Sequence, residues 1–239
     1  MSLPPSQDDR TRELAANLAR IESRIAAACA HAGRGRADVT LVVVTKTFPG
    51  SDIRRLASLG VRDVGENRVQ EAHAKADAGA FEGLRVHLVG QLQTNKAAQA
   101  AALADVVHSL DRPRLVAALA RGRRRSGAPA PLDVFIQVSL DGDPDRGGAP
   151  PHTVPDLVAA VAAEDALRLR GVMAVPPIGA SPRAAFDQLR TVADHVRSQV
   201  PSATSISAGM SADLEDAVAA GATHLRVGSA ILGSRPSLR

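Results

Sequence analysis

The sequence predicts an α/β protein: a single (β/α)8 barrel of the TIM type with an extra N-terminal helix. Three observations carry this. Eight short, β-branched apolar runs alternate with helix-compatible segments, which is the pattern of a parallel sheet. The 239 residues match the roughly 250 typical of one such barrel. Linkers are short and no change of composition marks an internal boundary, so residues 1–239 read as one domain, with 1–7 as a loose tail. A doubly wound open sheet is the alternative; the count of eight favours closure.

The elements follow in order. Leu14, Leu18, Ile21, Ile25 and Cys29 recur at spacings of 4, 3, 4 and 4, one face of a helix that Gly33 and Gly35 end. That places Cys29 in the core. Val39–Thr45 is a continuous apolar run, as expected of a strand buried on both faces. Ser51 is positioned to cap a helix bearing Ile53, Leu56 and Leu59, stopped by Gly60. Val61–Gly65 predicts the second strand, and a helix to about Ala78 follows it. The remaining strands are predicted at Arg85–Gly90, Asp105–Leu110, Leu132–Ser139, Leu169–Val175, Thr204–Ser207 and His224–Gly228. Phe186, Leu189, Ala193, Val196 and Val200 form another helical face. The basic run from Arg121 to Arg125 suits a helix C-terminus, where cations complement the dipole.

Composition excludes several functions. One cysteine permits no internal disulfide and no Cys-x-x-Cys site. Without Tyr or Trp there is no stacking platform for single-stranded bases. The net charge of +4 is weak support for nucleic acid. The seven histidines show no ligand spacing, and Asp141–His152 fails the calcium-loop pattern because Arg146 stands at its sixth position and His152 at its twelfth. The first ten residues lack a signal-peptide core, and no run approaches a membrane span. These features predict a cytoplasmic protein with no membrane, metal or nucleic-acid partner.

In a barrel, chemistry sits where strands end at the carboxyl face. Lys46 closes the run Leu-Val-Val-Val-Thr-Lys. Partial desolvation there favours the neutral amine, which can attack a carbonyl and form a Schiff base. The other two lysines compete poorly. Lys75 lies mid-helix among Ala and Asp and reads as solvated. Lys96 lies at a strand-to-helix turn and reads as supporting. The loop from Ser207 to Asp213 and the segment from Arg226 to Gly233 have the small residues and hydroxyls of an anion cup after strands 7 and 8. The simpler reading of the first loop is a helix cap with Ser211 at the N-cap.

A strand-1 lysine with such a cup fits pyridoxal 5'-phosphate in a barrel. The segments Val43–Thr47, Gly65–Glu71, His87–Lys96, Leu169–Ala174, Ser207–Asp213 and Arg226–Arg235 resemble, in order, those of the pyridoxal phosphate homeostasis protein family, the YggS/PROSC family. The resemblance implies a monomeric barrel like the N-terminal domain of alanine racemase. It implies that Lys46 holds pyridoxal 5'-phosphate as a Schiff base and that Arg226 faces the pyridine nitrogen. Ser207, Gly228 and Ser229 are then expected to hold the phosphate, with Met210 and Ser211 nearby and Asn67 beside the ring. Departures at Val86, Arg68, Ala208 and Leu232 alter packing and leave these contacts present.

Arginine keeps its proton and disfavours a pyridinium beside it, so the cofactor becomes a weaker electron sink. Racemases of this fold add a tyrosine base from a second domain, and this chain has no tyrosine. The expectation is a non-catalytic protein that buffers the cofactor or delivers it to apoenzymes. An amino-acid racemase or a Schiff-base lyase using Lys46 is the alternative.

Overall fold

Eight parallel strands close on themselves in chain order in the computed structural model, which describes residues 7–143 and 146–234. The loose tail expected over 1–7 lies outside these residues except for Gln7. Asp145 and Arg235 lie outside them as well. The strands are β1 (Thr40–Val44), β2 (Asp63–Glu66), β3 (Arg85–Leu88), β4 (Val106–Leu110), β5 (Leu132–Gln137), β6 (Leu167–Met173), β7 (Ser205–Ser207) and β8 (His224–Val227). Closure rests on β1 pairing with β8, with Val42 opposite Arg226 and Val43 opposite Val227. That pairing excludes the open sheet.

The helices are α1 (Gln7–His31), α2 (Gly50–Ser58), α3 (Val69–Asp77), α4 (Ala97–Leu103), α5 (Pro113–Ser126), α6 (Val154–Ala162), α7 (Pro182–Gln199), α8 (Leu214–Ala219) and α9 (Ser229–Leu232). The apolar face of α1 buries Leu14, Ile21, Ile25 and Cys29, and the helix packs on α8 and α9. Arginines tie it down: Arg10 pairs with Asp52 of α2 at 2.7 Å and Arg24 with Glu215 of α8 at 2.8 Å. α2 begins at Gly50 with Pro49 at its N-cap, so Ser51 lies inside the first turn and does not cap it. Most of the expected strands are longer than the observed ladders, because apolar residues continue into the turns where pairing has stopped; β6 has the expected length but begins at Leu167 and ends at Met173, two residues earlier than expected.

Alternation along each strand separates two environments. Val43, Val64, Leu88, Val107, Val134 and Leu225 face the helices and join the large apolar cluster. Val106, Phe135 and Met173 form a separate small cluster inside the barrel. With four Phe and no Tyr or Trp in the chain, histidines supply the remaining rings of the lumen. His108 stacks on Phe135 at 4.5 Å between centroids, and His224 meets the same ring edge-on at 5.1 Å. At the strand starts, Asp133 accepts hydrogen bonds from Arg85 (2.6 Å) and Arg168 (2.5 Å), closing the amino end. The carboxyl end is left open for a site.

Candidate functional site at the carboxyl mouth

A cavity of about 410 Å³ opens at the carboxyl ends of the strands. Lys46, Asn67, Met210, Ser211, Arg226, Gly228 and Ser229 all line it. The fold brings these seven sequence-predicted residues together from β1, β2, β7 and β8. Gly233 and the apolar residues Val44, Phe48, Val89, Val175 and Ala212 complete the wall. Sequence reasoning did not single out these apolar residues, since apolar residues at strand ends carry no chemical mark.

Each polar member has a local cause. Lys46 lies two residues beyond Val44 on the lumen side of β1. It sits in a tight turn, where the Thr45 carbonyl accepts from the Phe48 N–H at 3.1 Å. Asn67 follows β2 directly, and Gly90 after β3 leaves room for it: a Cβ on Gly90 would lie 2.3 Å from the Asn67 carbonyl oxygen. Gly228 is needed where β8 leaves the barrel, since a Cβ there would approach the Val44 carbonyl oxygen to 3.0 Å. The Ser211 and Ser229 hydroxyls lie 3.4 Å apart, and the Ala230 N–H points to Ser211 Oγ at 3.4 Å. Two hydroxyls and the start of α9 therefore converge on one edge of the cavity. Asp213 stands at the N-cap of α8 without a side-chain capping bond, and its Oδ1 accepts instead from the Met210 N–H at 2.6 Å. Ser211 is free of the capping role that the simpler reading gave it.

Ser207 is the one expected site residue set apart from the cavity wall. It is fully buried and does not line the cavity. Its hydroxyl lies below Arg226, whose Nη1 donates to Ser207 Oγ at 2.6 Å while Nη2 donates to the Ala174 carbonyl at 2.9 Å. Ser207 is an inward residue at the end of β7. Burial pushes the Arg226 guanidinium down to about 10, partly offset by the charge of Asp213. It therefore remains a cation at neutral pH, and both of these hydrogen bonds end on neutral oxygens.

Below Ser207 a hydrogen-bonded chain runs through the lumen. His108 Nδ1 lies 2.9 Å from Ser207 Oγ, His108 Nε2 lies 2.8 Å from His87 Nδ1, and His87 Nε2 lies 2.9 Å from Asp63 Oδ1. Arginine only donates and an ionised carboxylate only accepts. One assignment gives every proton in the chain an acceptor. Arg226 donates to Ser207, Ser207 to His108, His108 to His87, and His87 to Asp63. Burial lowers His108 well below its ordinary value. Burial raises the Asp63 carboxyl, but the hydrogen bond from His87 and the nearby Arg85 charge leave it lowered overall. The alternation of Val86 with Leu88 could have revealed His87 as inward. Nothing in the sequence indicates that it meets His108.

Lys75 is a correction. Its side chain is 10% exposed, not solvated. Nζ donates to Glu66 Oε1 (2.7 Å), to Glu71 Oε1 (2.7 Å) and to the Thr45 carbonyl (2.9 Å). This group lies between the sheet and α3, behind Lys46. Lys96 lines a neighbouring cleft of about 490 Å³ that shares Asn67 with the first. No group of three or more His, Cys, Asp or Glu among the described residues is arranged to hold a metal. No helix among them is long and apolar enough to cross a membrane.

Comparison with other proteins agrees with the barrel fold. Residues 16–236 match the family model for the alanine racemase N-terminal domain. The pyridoxal phosphate homeostasis protein of Mycobacterium tuberculosis H37Rv is 43% identical over 246 residues, 95% of each chain. Its namesake in Escherichia coli K12 is 36% identical, over 93% of this chain and 97% of that one. The structure of PipY from Synechococcus elongatus with pyridoxal phosphate bound superposes with a TM-score of 0.78 at 34% identity, covering 92% of this chain and all of that one. Alanine racemase from Corynebacterium glutamicum, 16% identical with a TM-score of 0.69, shares the fold, and this chain spans 63% of its length. By the extent and level of these matches, the chain belongs to the pyridoxal phosphate homeostasis protein family.

Proposed function

We propose that the protein binds pyridoxal 5'-phosphate in the mouth cavity, covalently on Lys46, and that it acts as a non-catalytic carrier in pyridoxal phosphate homeostasis. One observation carries the reading: an amine, a buried guanidinium and a pair of serine hydroxyls line a single cavity of about 410 Å³. That donor set suits the group. Bound there, the cofactor supplies an electrophilic aldehyde. The Lys46 amine adds to its carbon, a C=N bond forms and one water leaves. Ser211, Ser229 and the Gly228 backbone hold the phosphate, with Met210 beside it. Arg226 donates toward the ring nitrogen and keeps it unprotonated, and Asn67 lies against the ring. The presence of pyridoxal phosphate in PipY supports this reading.

The carrier role is favoured over catalysis by chemistry. Racemisation by a cofactor of this kind needs two acid/base groups and a good electron sink. Arg226 weakens the sink, and none of the 239 residues is a tyrosine. In this reading the chain is one barrel domain, works as a monomer in the cytoplasm, and passes cofactor to apoenzymes.

The test is to load purified protein with pyridoxal phosphate, reduce it with borohydride and map the modified peptide. The label is expected on Lys46, and Lys46→Ala should abolish both the label and the visible absorbance. Labelling of Lys75 or Lys96 instead would overturn the assignment. Robust racemisation of alanine or cleavage of an amino acid would overturn the carrier role.

A further inference from the structure

The turn that presents Lys46 is held in an unfavourable conformation. Thr47, which follows Lys46, has φ +69° and is the only non-glycine residue with positive φ among the described residues. The Thr45–Phe48 hydrogen bond makes Lys46 and Thr47 the two central residues of the turn. The second central position favours Gly or Asn when φ is positive, and a β-branched side chain is strained there. Such strain persists only where the surroundings enforce it.

The surroundings here are polar and specific, buried on the Thr45–Glu66 side and open to solvent at Thr47. The Thr45 N–H donates to the Gly65 carbonyl at 2.8 Å, and Thr45 Oγ1 donates to Glu66 Oε1 at 2.6 Å. The Thr47 N–H donates to Glu71 Oε1 at 2.5 Å. Lys75 joins both sides, because its Nζ reaches Glu66, Glu71 and the Thr45 carbonyl. All three ammonium hydrogens therefore have acceptors. The residues flanking Lys46 are fixed from the helix side of the sheet, while Lys46 itself lines the cavity on the other side.

We propose that Glu71, Lys75 and Glu66 form a clamp that positions Lys46. Glu71 enforces the left-handed turn at Thr47, and Lys75 ties Glu71 to Glu66 and to the end of β1. The three are positioning residues, since they act through the turn and not on a ligand. The functional meaning of the clamp rests on Lys46 being the cofactor anchor. Its existence can be tested in cofactor-free protein.

The experiment compares wild type with Glu71→Ala, Glu71→Gln, Thr47→Gly and the Glu71→Ala/Thr47→Gly double variant. Amide hydrogen exchange at position 47 is read without cofactor, and the pyridoxal phosphate dissociation constant is read with it. Glu71 lies on the face of α3 with its side chain 27% exposed, so alanine should leave the fold intact. Glu71→Ala should speed exchange at position 47 and weaken binding, each by about tenfold. Glu71→Gln keeps an acceptor oxygen and should restore most of both. Glycine removes the strain, so in the Thr47→Gly background the effect of Glu71→Ala on binding should shrink to about twofold, the non-additivity expected of coupled sites. Equal losses in both backgrounds, or unchanged exchange at position 47, would overturn the clamp. A wild type that takes no cofactor on Lys46 would overturn the functional reading instead, and the exchange data would still decide the clamp.

Discussion

Two polar networks flank the mouth of the barrel, and they are built on opposite principles. Behind β1, outside the sheet, three charges touch: Lys75 contacts Glu66 and Glu71 at 2.7 Å each. Inside the lumen, Arg226 and Asp63 stand at opposite ends of a chain of uncharged hydrogen bonds through Ser207, His108 and His87. The helix side can supply matched charges because Glu71 and Lys75 are one turn apart on α3. In the lumen, parallel strands present one side chain every second residue, and each must fit among Phe135, Met173 and Val106. The difference has a functional consequence. Lys75 has every donor matched within the protein and serves as a fixture. Arg226 has a charge with no carboxylate among its hydrogen-bond partners, at the edge of a cavity, where a ligand atom can use it.

The largest test of the contrast is Lys75→Met. Glu66 is fully buried, and its Oε2 already lacks a hydrogen-bond partner. Removing the cation leaves it with the Thr45 hydroxyl as its one side-chain donor and with the like charge of Glu71. Breaking a buried pair from one side costs about 3–5 kcal/mol, so urea unfolding should show a loss of that size. A loss under about 1 kcal/mol would mean that the outer network behaves like an exposed pair.

Acid should separate the networks next. Burial pushes His224 down to about 3 from an ordinary value near 6.5, and His108 is lowered for the same reason. Between about pH 3 and 6.5 the unfolded chain therefore binds protons that the folded protein does not. Stability is complete above 6.5 and falls as the pH is lowered through that range, by up to about 1.4 kcal/mol per pH unit for each histidine. Asp63, lowered from 3.8, adds its loss only at still lower pH. Unfolding free energies measured from pH 7.5 to 5 should therefore decline. A flat profile would place the histidine rings in contact with water.

Much of this was legible in the sequence for identifiable reasons. The eight strands show because both faces of a parallel sheet are buried, which leaves continuous runs such as Leu41–Val44. Lys46 shows because a charge ending such a run can only lie at a mouth. Seven of the eight expected site residues lie together on the cavity wall, since strand ends and the loops after β7 and β8 share one face by topology. Ser207 lies deeper than the other seven, because depth along a strand depends on barrel stagger, which one sequence does not record. Lys75 was misjudged because its helical neighbours are Ala and Asp. The partner that buries it, Glu66, is nine residues away on β2. The Glu71–Lys75 spacing was visible, but the strained Thr47 that it supports was not.

The smallest expected effect probes the inner chain at its centre. Ser207→Ala keeps the size of the side chain nearly unchanged and deletes one hydroxyl. Arg226 Nη1 then loses an acceptor, and His108 Nδ1 loses the donor assigned to it. Unsatisfied buried groups cost about 1–3 kcal/mol, less than the broken charge pair behind β1, because neither residue left behind is an unmatched carboxylate. The same variant carries a second readout. If Ser207 orients Arg226, pyridoxal phosphate should bind more weakly and its visible band should shift, since the guanidinium no longer has a fixed direction toward the ring. If Ser207 instead held the phosphate, as its position in the sequence suggested, affinity would fall while the band of the remaining bound cofactor stayed in place. A spectrum and a titration on one variant therefore decide between the layer below Arg226 and the rim of the cavity.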